Sequence, residues 1–369
     1  MNDSRHLCAF KCLRAFLSLL AVPVLFCTSA AAATNHRHPI EIRAVVLTAY
    51  ELGADTGDAA GEFQAWAEHA PVVLPFPGGP RHLRYDPARK VLVICTGMGT
   101  SEAGLSTLAL GLDPRFDLRH AYWIVAATAG IDPRAGTLGT AVWVGDIVDT
   151  DWTTRIDDRD VPPDWPSGTL PRGRSAPYEA PASIDREHVL FPLNAGLRNW
   201  AYALTRNEIL PDNAMLRAAR APYAADTPAA GTPKVIVGDE ATGMSLDYGQ
   251  RIQDHYRGWV EYWTGRRQFA VKAMEDSGIY AALLRLQALG KADPQRLMVL
   301  RAGSEFTVPP VAQNPVAELR EDQAQASAFE SSPGRYAALK SAYLVANKII
   351  STLSNRWSNF RTNIPRQHY

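Results

Sequence analysis

Five apolar runs, short and rich in β-branched residues, punctuate the chain: Ala44–Thr48, Val91–Cys95, Tyr122–Ala127, Lys234–Val237 and Leu297–Leu300. Runs of this kind predict strands buried on both faces. Leu138–Val148 reads as a further strand or strand pair. Helical spacing is carried by Glu62–His69, Leu105–Leu112, Arg198–Arg206, Tyr248–Trp263, Ile279–Leu286 and Tyr336–Leu353, while Arg84–Lys90 reads as a turn. Strands that alternate with helices and end in loops of small residues predict an α/β fold with its site at the strand ends. Two stretches break the pattern. Residues 157–192 crowd prolines together and lose periodicity, which predicts a long surface excursion, a lid or an oligomer contact. Ala221–Thr232 is a second Pro/Ala-rich loop. There is no internal repeat or low-complexity tract.

The first 33 residues stand apart. Arg5, Lys11 and Arg14 precede an apolar core, Ala15–Phe26, and then the small residues Ser29–Ala33. That order is a secretory signal peptide, too short to span a bilayer. The expected mature protein is a single domain, 34–369, exported to a periplasm or the exterior. Removing Arg5, Lys11, Arg14 and Asp3 from 38 basic and 38 acidic residues leaves 35 against 37, a net charge of −2. Cys8, Cys12 and Cys27 leave with the leader. Cys95 alone remains, so no internal disulfide forms, and its apolar run predicts a buried, inert thiol. No later stretch reaches 18 consecutive apolar residues, so no transmembrane segment is expected. The 46% hydrophobic composition is that of a globular protein, and no basic stretch points to nucleic acid. The histidines have no metal-ligand spacing, so no metal is expected.

Polar chemistry concentrates where apolar runs end: Glu51–Gly57, Thr96–Ser101, Thr128–Gly130, Gly238–Thr242 and Ser304–Glu305. If the strands are parallel, these loops share one edge of the sheet. Thr96-Gly97-Met98-Gly99 offers backbone N–H groups to an anion, but Glu102 stands where a dinucleotide motif has its third glycine, and a P-loop lysine is missing. Glu275 opens an otherwise apolar helix. It is either a charge that complements the helix dipole or a buried acceptor for ligand hydroxyls. Glu51 is either a solvated loop acid or a functional one. Trp259, Tyr262 and Trp263 either stack on a ligand or belong to the core. Asp146 and Asp149 read as structural acids.

The motif order resembles that of the nucleoside phosphorylase and nucleosidase superfold. Thr128-Ala129-Gly130 followed by Val144-Gly145-Asp146-Ile147-Val148 is similar to its Ser-Ala-Gly…Val-Gly-Asp-Ile-Val signature. Ala273-Met274-Glu275 resembles its Met-Glu ribose motif, and Arg301-Ala302-Gly303-Ser304-Glu305 its Arg-x-x-Ser-Asp motif. The closer resemblance is to the purine nucleoside permease family. It rests on Glu51–Asp58, on Thr96-Gly97-Met98-Gly99 and on Gly238-Asp239-Glu240-Ala241-Thr242-Gly243-Met244, and runs from about Ile42 to the C-terminus.

This resemblance implies a central mixed, largely parallel sheet flanked by helices, a purine nucleoside as ligand, and a homo-oligomer. It implies cleavage of the N-glycosidic bond, by hydrolysis rather than phosphorolysis, or else nucleoside binding without catalysis for uptake. No cofactor is implied, with phosphate as a conceivable co-substrate. Met274 and Glu275 match the ribose-holding residues, and Thr128, Ala129 and Gly130 the turn that lines the base. Ser304 and Glu305 match the dyad that protonates the leaving purine, with Glu where Asp is usual. Thr96, Gly97 and Gly99 match the loop beside the nucleophile, Glu51 the water-activating acid, and Glu240 a substrate-side acid.

Overall fold

The computed structural model describes residues 38–179, 183–310, 314, 316–317, 320 and 333–367. The leader expected at 1–33 lies outside them. The strands of the main sheet are β1 (Ala44–Thr48), β2 (Val72–Leu74), β3 (Leu83–Asp86), β4 (Val91–Cys95), β5 (Tyr122–Ile131), β6 (Ala141–Asp149), β7 (Leu190–Pro192), β8 (Val235–Thr242), β9 (Phe269–Ala273) and β10 (Leu297–Phe306). Their order is β7-β6-β8-β9-β5-β1-β4-β3-β2, and β10 pairs with both β5 and β6. The strands β6, β8, β9, β5 and β10 thereby close on themselves as a five-stranded barrel, from which β1–β4 extend as an open sheet.

The fold is α/β, as expected, but the sheet is evenly mixed. Of its ten strand pairings, five are parallel and five antiparallel. The expectation of a largely parallel sheet is corrected by the barrel, which needs β5–β9 and β10–β6 to run antiparallel in order to close. Strands pointing in opposite directions still bring their C-terminal ends together. β5 and β9 overlap only at Val271↔Ile131 and Lys272↔Gly130, near the C-terminal end of each. The loops after β5 and β9 therefore meet without a common strand direction.

Both faces of the sheet are covered, which is why its strands read as unbroken apolar runs. Val45, Leu47, Leu92, Ile94, Trp123 and Val125 pack with helices α1 (Thr100–Leu112) and α4 (Asp276–Ala288). Val46, Val93 and Ile124 pack with α2 (Ala195–Thr205) and α5 (Pro333–Asn355). Helix α3 (Gln250–Thr264) buries Tyr256, Trp259, Val260 and Trp263 against Val148, Ala241 and Phe269. Trp259 and Trp263 are thus core. Each large apolar side chain buried in this way stabilises by about 1.5–3 kcal/mol.

The region 157–192 carries more order than its prolines predicted. Thr169–Pro171 pairs with Thr153–Arg155, and Ser183–Val189 is helical. The Ser167 hydroxyl meets His255 Nδ1 on α3 at 3.0 Å, both residues buried. Burial pushes the His255 imidazole down to about 4, so the ring stays neutral at ordinary pH.

Helices α1 and α4 touch backbone to backbone at their N-terminal ends. A Cβ on Gly278 would fall 1.9 Å from the Thr100 carbonyl oxygen. Only glycine permits that approach, and it sets the loop before α1 beside the residues before α4.

Candidate functional site

Arg301 is the hub. It lies inside β10 and is 1% exposed. A guanidinium cannot be buried without anionic partners. Its Nε donates to Asp276 Oδ2 at 2.8 Å, Nη2 to Glu275 Oε2 at 2.8 Å, and Nη1 to the Thr128 carbonyl at 3.0 Å. Glu240 Oε2 stands 4.0 Å from Nε. One side chain thus ties β10 to β5, to the β9–α4 junction and, at longer range, to β8.

Glu275 is the residue just before α4 and is 4% exposed. Besides Arg301, it accepts from Gly99 N–H at 3.1 Å and from its neighbour Met274 N–H at 3.3 Å. The Gly97–Gly99 loop and the Met274–Glu275 pair are therefore in direct contact, as the α1–α4 approach requires. Glycine is demanded in the loop: φ is +86° at Gly97 and +88° at Gly99. A Cβ at Gly99 would also lie 2.8 Å from Met244 Sδ, a side chain of the loop after β8. Gly99→Ala is expected to cost about 1–3 kcal/mol through strain, read by chemical denaturation, and to displace Met244. Thr96 is buried, and its hydroxyl is directed to the Thr48 and Gly97 carbonyls.

A second buried acid enters from the other side. Glu62 is 5% exposed. It accepts from Thr128 N–H at 2.6 Å, Thr128 Oγ1 at 2.9 Å and Ala49 N–H at 2.6 Å. Burial pushes its carboxyl up to about 7, against the opposing pull of Arg301 and those backbone N–H groups. Tyr50 sits next to it, its hydroxyl pushed upward first by burial and then by the Glu62 charge.

At the end of β10 the ladder slips. Gly303 pairs with Ala129 and Glu305 with Gly130, which leaves Ser304 as an extra residue. A bulge of this kind re-aims side chains beside a site. Ser304 Oγ donates to Glu305 Oε2 and reaches the Ala129 carbonyl at 3.3 Å. Gly130 is confined: a Cβ there would lie 2.7 Å from Thr307 Cγ2 and 3.3 Å from Glu305 Oε1. Thr128, Ser304, Glu305, Met274 and Gly97 are partly exposed, whereas Glu62, Glu275, Asp276, Glu240 and Arg301 are buried. The former make the open side of the cluster and the latter its buried side.

Most of the residues singled out in the sequence come together, with two changes of role. Glu51 is a clamp on its own loop. Oε1 accepts from Leu52 N–H at 2.9 Å and Gly61 N–H at 2.5 Å, and Oε2 from Gln64 N–H at 2.6 Å. Glu240 is fully buried behind Arg301 rather than on the open side. Glu62, which the sequence marked only as a helix start, and Asp276 are the acids that sequence reasoning missed. Arg301 read as the start of a polar loop, so nothing called for a buried acid at Asp276, and no signal existed for Glu62. Cys95 is 3% exposed, and burial pushes its thiol up to about 12, as an inert core thiol requires. Among the described residues no group of three or more His, Cys, Asp or Glu is placed to hold a metal ion, and no helix is long and apolar enough to cross a membrane.

The fold and site define a mixed α/β protein in which a closed barrel gathers acids around one buried guanidinium. Residues 41–365 match the purine nucleoside permease (NUP) family, and the chain belongs to that family. A purine nucleoside permease from Candida albicans is 28% identical over 273 residues, which cover 72% of this chain and 64% of the relative. A probable purine nucleoside permease from Schizosaccharomyces pombe is 29% identical over 219 residues, covering 57% and 63%. The chain thus spans just under two thirds of the length of these relatives. Solved structures with related folds include 5′-methylthioadenosine/S-adenosylhomocysteine nucleosidase from Neisseria meningitidis in complex with methylthio-immucillin-A (15% identity, 84% of this chain and 99% of that one, TM-score 0.48). Futalosine hydrolase of Helicobacter pylori strain 26695 is another (13% identity, 85% and 98%, TM-score 0.49).

Proposed function

We propose that this protein binds a purine nucleoside and cleaves its N-glycosidic bond with water. The observation that carries this reading is the convergence on Thr128 and Arg301. Thr128 donates to Glu62, its carbonyl accepts from Arg301, and Arg301 holds Glu275. An acid that titrates near neutrality and a carboxylate held by Arg301 are thus tied to one residue, and Ser304, paired with Glu305, reaches the carbonyl of the next, Ala129.

In this reading Glu275 accepts from the ribose 2′- and 3′-hydroxyls. Glu62 takes a proton from a water whose oxygen bonds to C1′. The C1′–N bond breaks with its electron pair going to the base, and Glu305, oriented by Ser304, returns a proton to the base nitrogen. Each proton transfer is worth roughly 10²–10⁴-fold. Water is favoured over phosphate because Arg301 is already committed to carboxylates, and a phosphate beside Glu62 and Glu275 would be repelled. Export of the mature chain is part of the proposal and rests on the basic, apolar and small-residue order of residues 1–33.

The test is incubation with inosine, adenosine and guanosine, with and without phosphate, followed by chromatography. Free base with ribose, independent of phosphate and lost in Glu275→Ala, is the expected result. Ribose 1-phosphate formed only with phosphate would replace hydrolysis by phosphorolysis. Intact nucleoside with calorimetric binding would favour the second reading, a binding protein for uptake, which the permease names of its relatives support.

A further inference from the structure

Behind Arg301, Glu240 and Asp276 lie against each other, each 0% exposed. Neither Oε of Glu240, nor Oδ1 of Asp276, meets an N–H or O–H donor among the described residues. Both carboxyls converge on the same Arg301 Nε. Two ionised carboxylates there would bury like charges together and leave three acceptor oxygens without a donor. One proton between them resolves both difficulties. Asp276 has the better claim to the charge, since Arg301 Nε is 2.8 Å from its Oδ2 and 4.0 Å from Glu240 Oε2.

The strand is shaped for this arrangement. The ladder of β8 is irregular at Glu240 against both neighbours, with register shifts after Asp239 on the β9 side and after Gly238 on the β6 side. The charged groups that face Glu240 come from three elements. Asp276 and Glu275 at the start of α4 oppose a charge on it, Arg301 from β10 favours one, and Lys272 from β9 is a more distant cation. Burial outweighs them and holds the Glu240 carboxyl well above the usual range.

We propose that Glu240 is a neutral carboxylic acid that donates its proton to Asp276, and that this bridge is a positioning device for the site. Asp276 Oδ2 then holds Arg301 Nε while its Oδ1 is satisfied by Glu240. The guanidinium is fixed, and its Nη2 presents Glu275 in one orientation.

The test uses Glu240→Gln and Glu240→Leu in the full chain. An amide still donates to Asp276, whereas leucine cannot. The first arm is denaturant unfolding of wild type and Glu240→Gln from pH 5 to 9. A carboxyl that keeps its proton in the fold and loses it on unfolding makes the wild type weaken relative to the Gln variant as pH rises. The expected limit is a tenfold change in the ratio of unfolding constants per pH unit. Glu62 is present in both proteins and cancels. Parallel curves would overturn the shared proton. The second arm, inosine affinity by calorimetry, rests on the function proposed above. Glu240→Leu is expected to weaken binding at least tenfold, with Glu240→Gln restoring most of it. A Gln variant as weak as the Leu variant would overturn the positioning role and make Glu240 an ionised ligand. Failure of the wild type to bind inosine would sink the proposed function, while the pH arm would still decide the proton.

Discussion

Arg301→Met is expected to lower the stability of this protein by about 3–5 kcal/mol, the largest effect of any single substitution around the site. Methionine fills much of the volume, so packing is not the issue. What remains is Asp276 at 0% and Glu275 at 4% exposure with no cation against them, and Glu240 beside them. A net stability of 5–15 kcal/mol is typical of a folded domain, so such a loss is a large share of the total. Arg301→Lys is expected to fall between, because one ammonium cannot hold Asp276, Glu275 and the Thr128 carbonyl with the spread of a guanidinium. If stranded carboxylate charge is the cause, adding Asp276→Leu to Arg301→Met should recover part of the loss. Denaturant melts of the four proteins decide this. An Arg301→Met midpoint within about 1 kcal/mol of wild type would mean that the buried acids are neutral and need no cation.

This hub also explains what was legible in the sequence. The strands of the open sheet were plain, because both faces of β1 and β4 are covered by helices and every position but Thr48 is apolar. The barrel strands were seen only in part. β8 was expected to end at Val237 and β10 at Leu300, with polar loops beyond. Both continue, to Thr242 and Phe306. Asp239 and Glu240 look like loop residues by type. They remain in the strand because the fold brings partners to them: Arg266 to Asp239, and Asp276 with Arg301 towards Glu240. Polarity along one chain cannot reveal a partner 27 or 61 residues away.

The site was legible where a motif holds its residues close together, as in Met274-Glu275 and Ser304-Glu305. It was not legible where the candidate group lies far from its strand. Glu62 is 13 residues past Ala49, whose N–H it accepts, and 66 before Thr128. The intervening loop is anchored by Arg81, which donates to Glu51 O, Gly53 O and Asp55, and by Glu51 itself. Glu51 matched the water-activating acid of the resemblance and so attracted the catalytic reading. Its three partners are all backbone N–H groups within residues 52–64, so its carboxylate holds that loop, whereas Glu62 is tied to Thr128.

That contrast gives the most consequential test of the proposed chemistry. Glu62→Gln is expected to cut turnover by roughly 10²–10⁴-fold while nucleoside affinity changes little, because an amide keeps the shape but cannot accept the proton from water. Glu51→Gln should retain turnover within a small factor and instead lose about 1–3 kcal/mol of stability as its charged contacts to the backbone N–H groups weaken. The pH dependence carries a second signature with two opposite signs. As a base, Glu62 works when ionised, so wild-type hydrolysis should rise with pH through about 7 and then level. As a buried acid whose carboxyl is raised in the fold, it favours the folded state when neutral. That contribution is full below its unfolded value near 4.5 and is lost as pH rises through about 7. The loss amounts to about 3 kcal/mol at 1.36 kcal/mol per pKa unit. Between pH 5 and 7 the wild type should therefore gain activity while losing stability relative to Glu62→Gln, which should show no rising activity limb and only the stability loss that a protonated Glu240 causes. Activity and melting curves measured across that range on the same samples test both. A Glu62→Gln protein that keeps the rising activity limb would assign the base to another group. A flat stability difference between the two proteins would mean that Glu62 is no more protonated in the fold than in the unfolded chain.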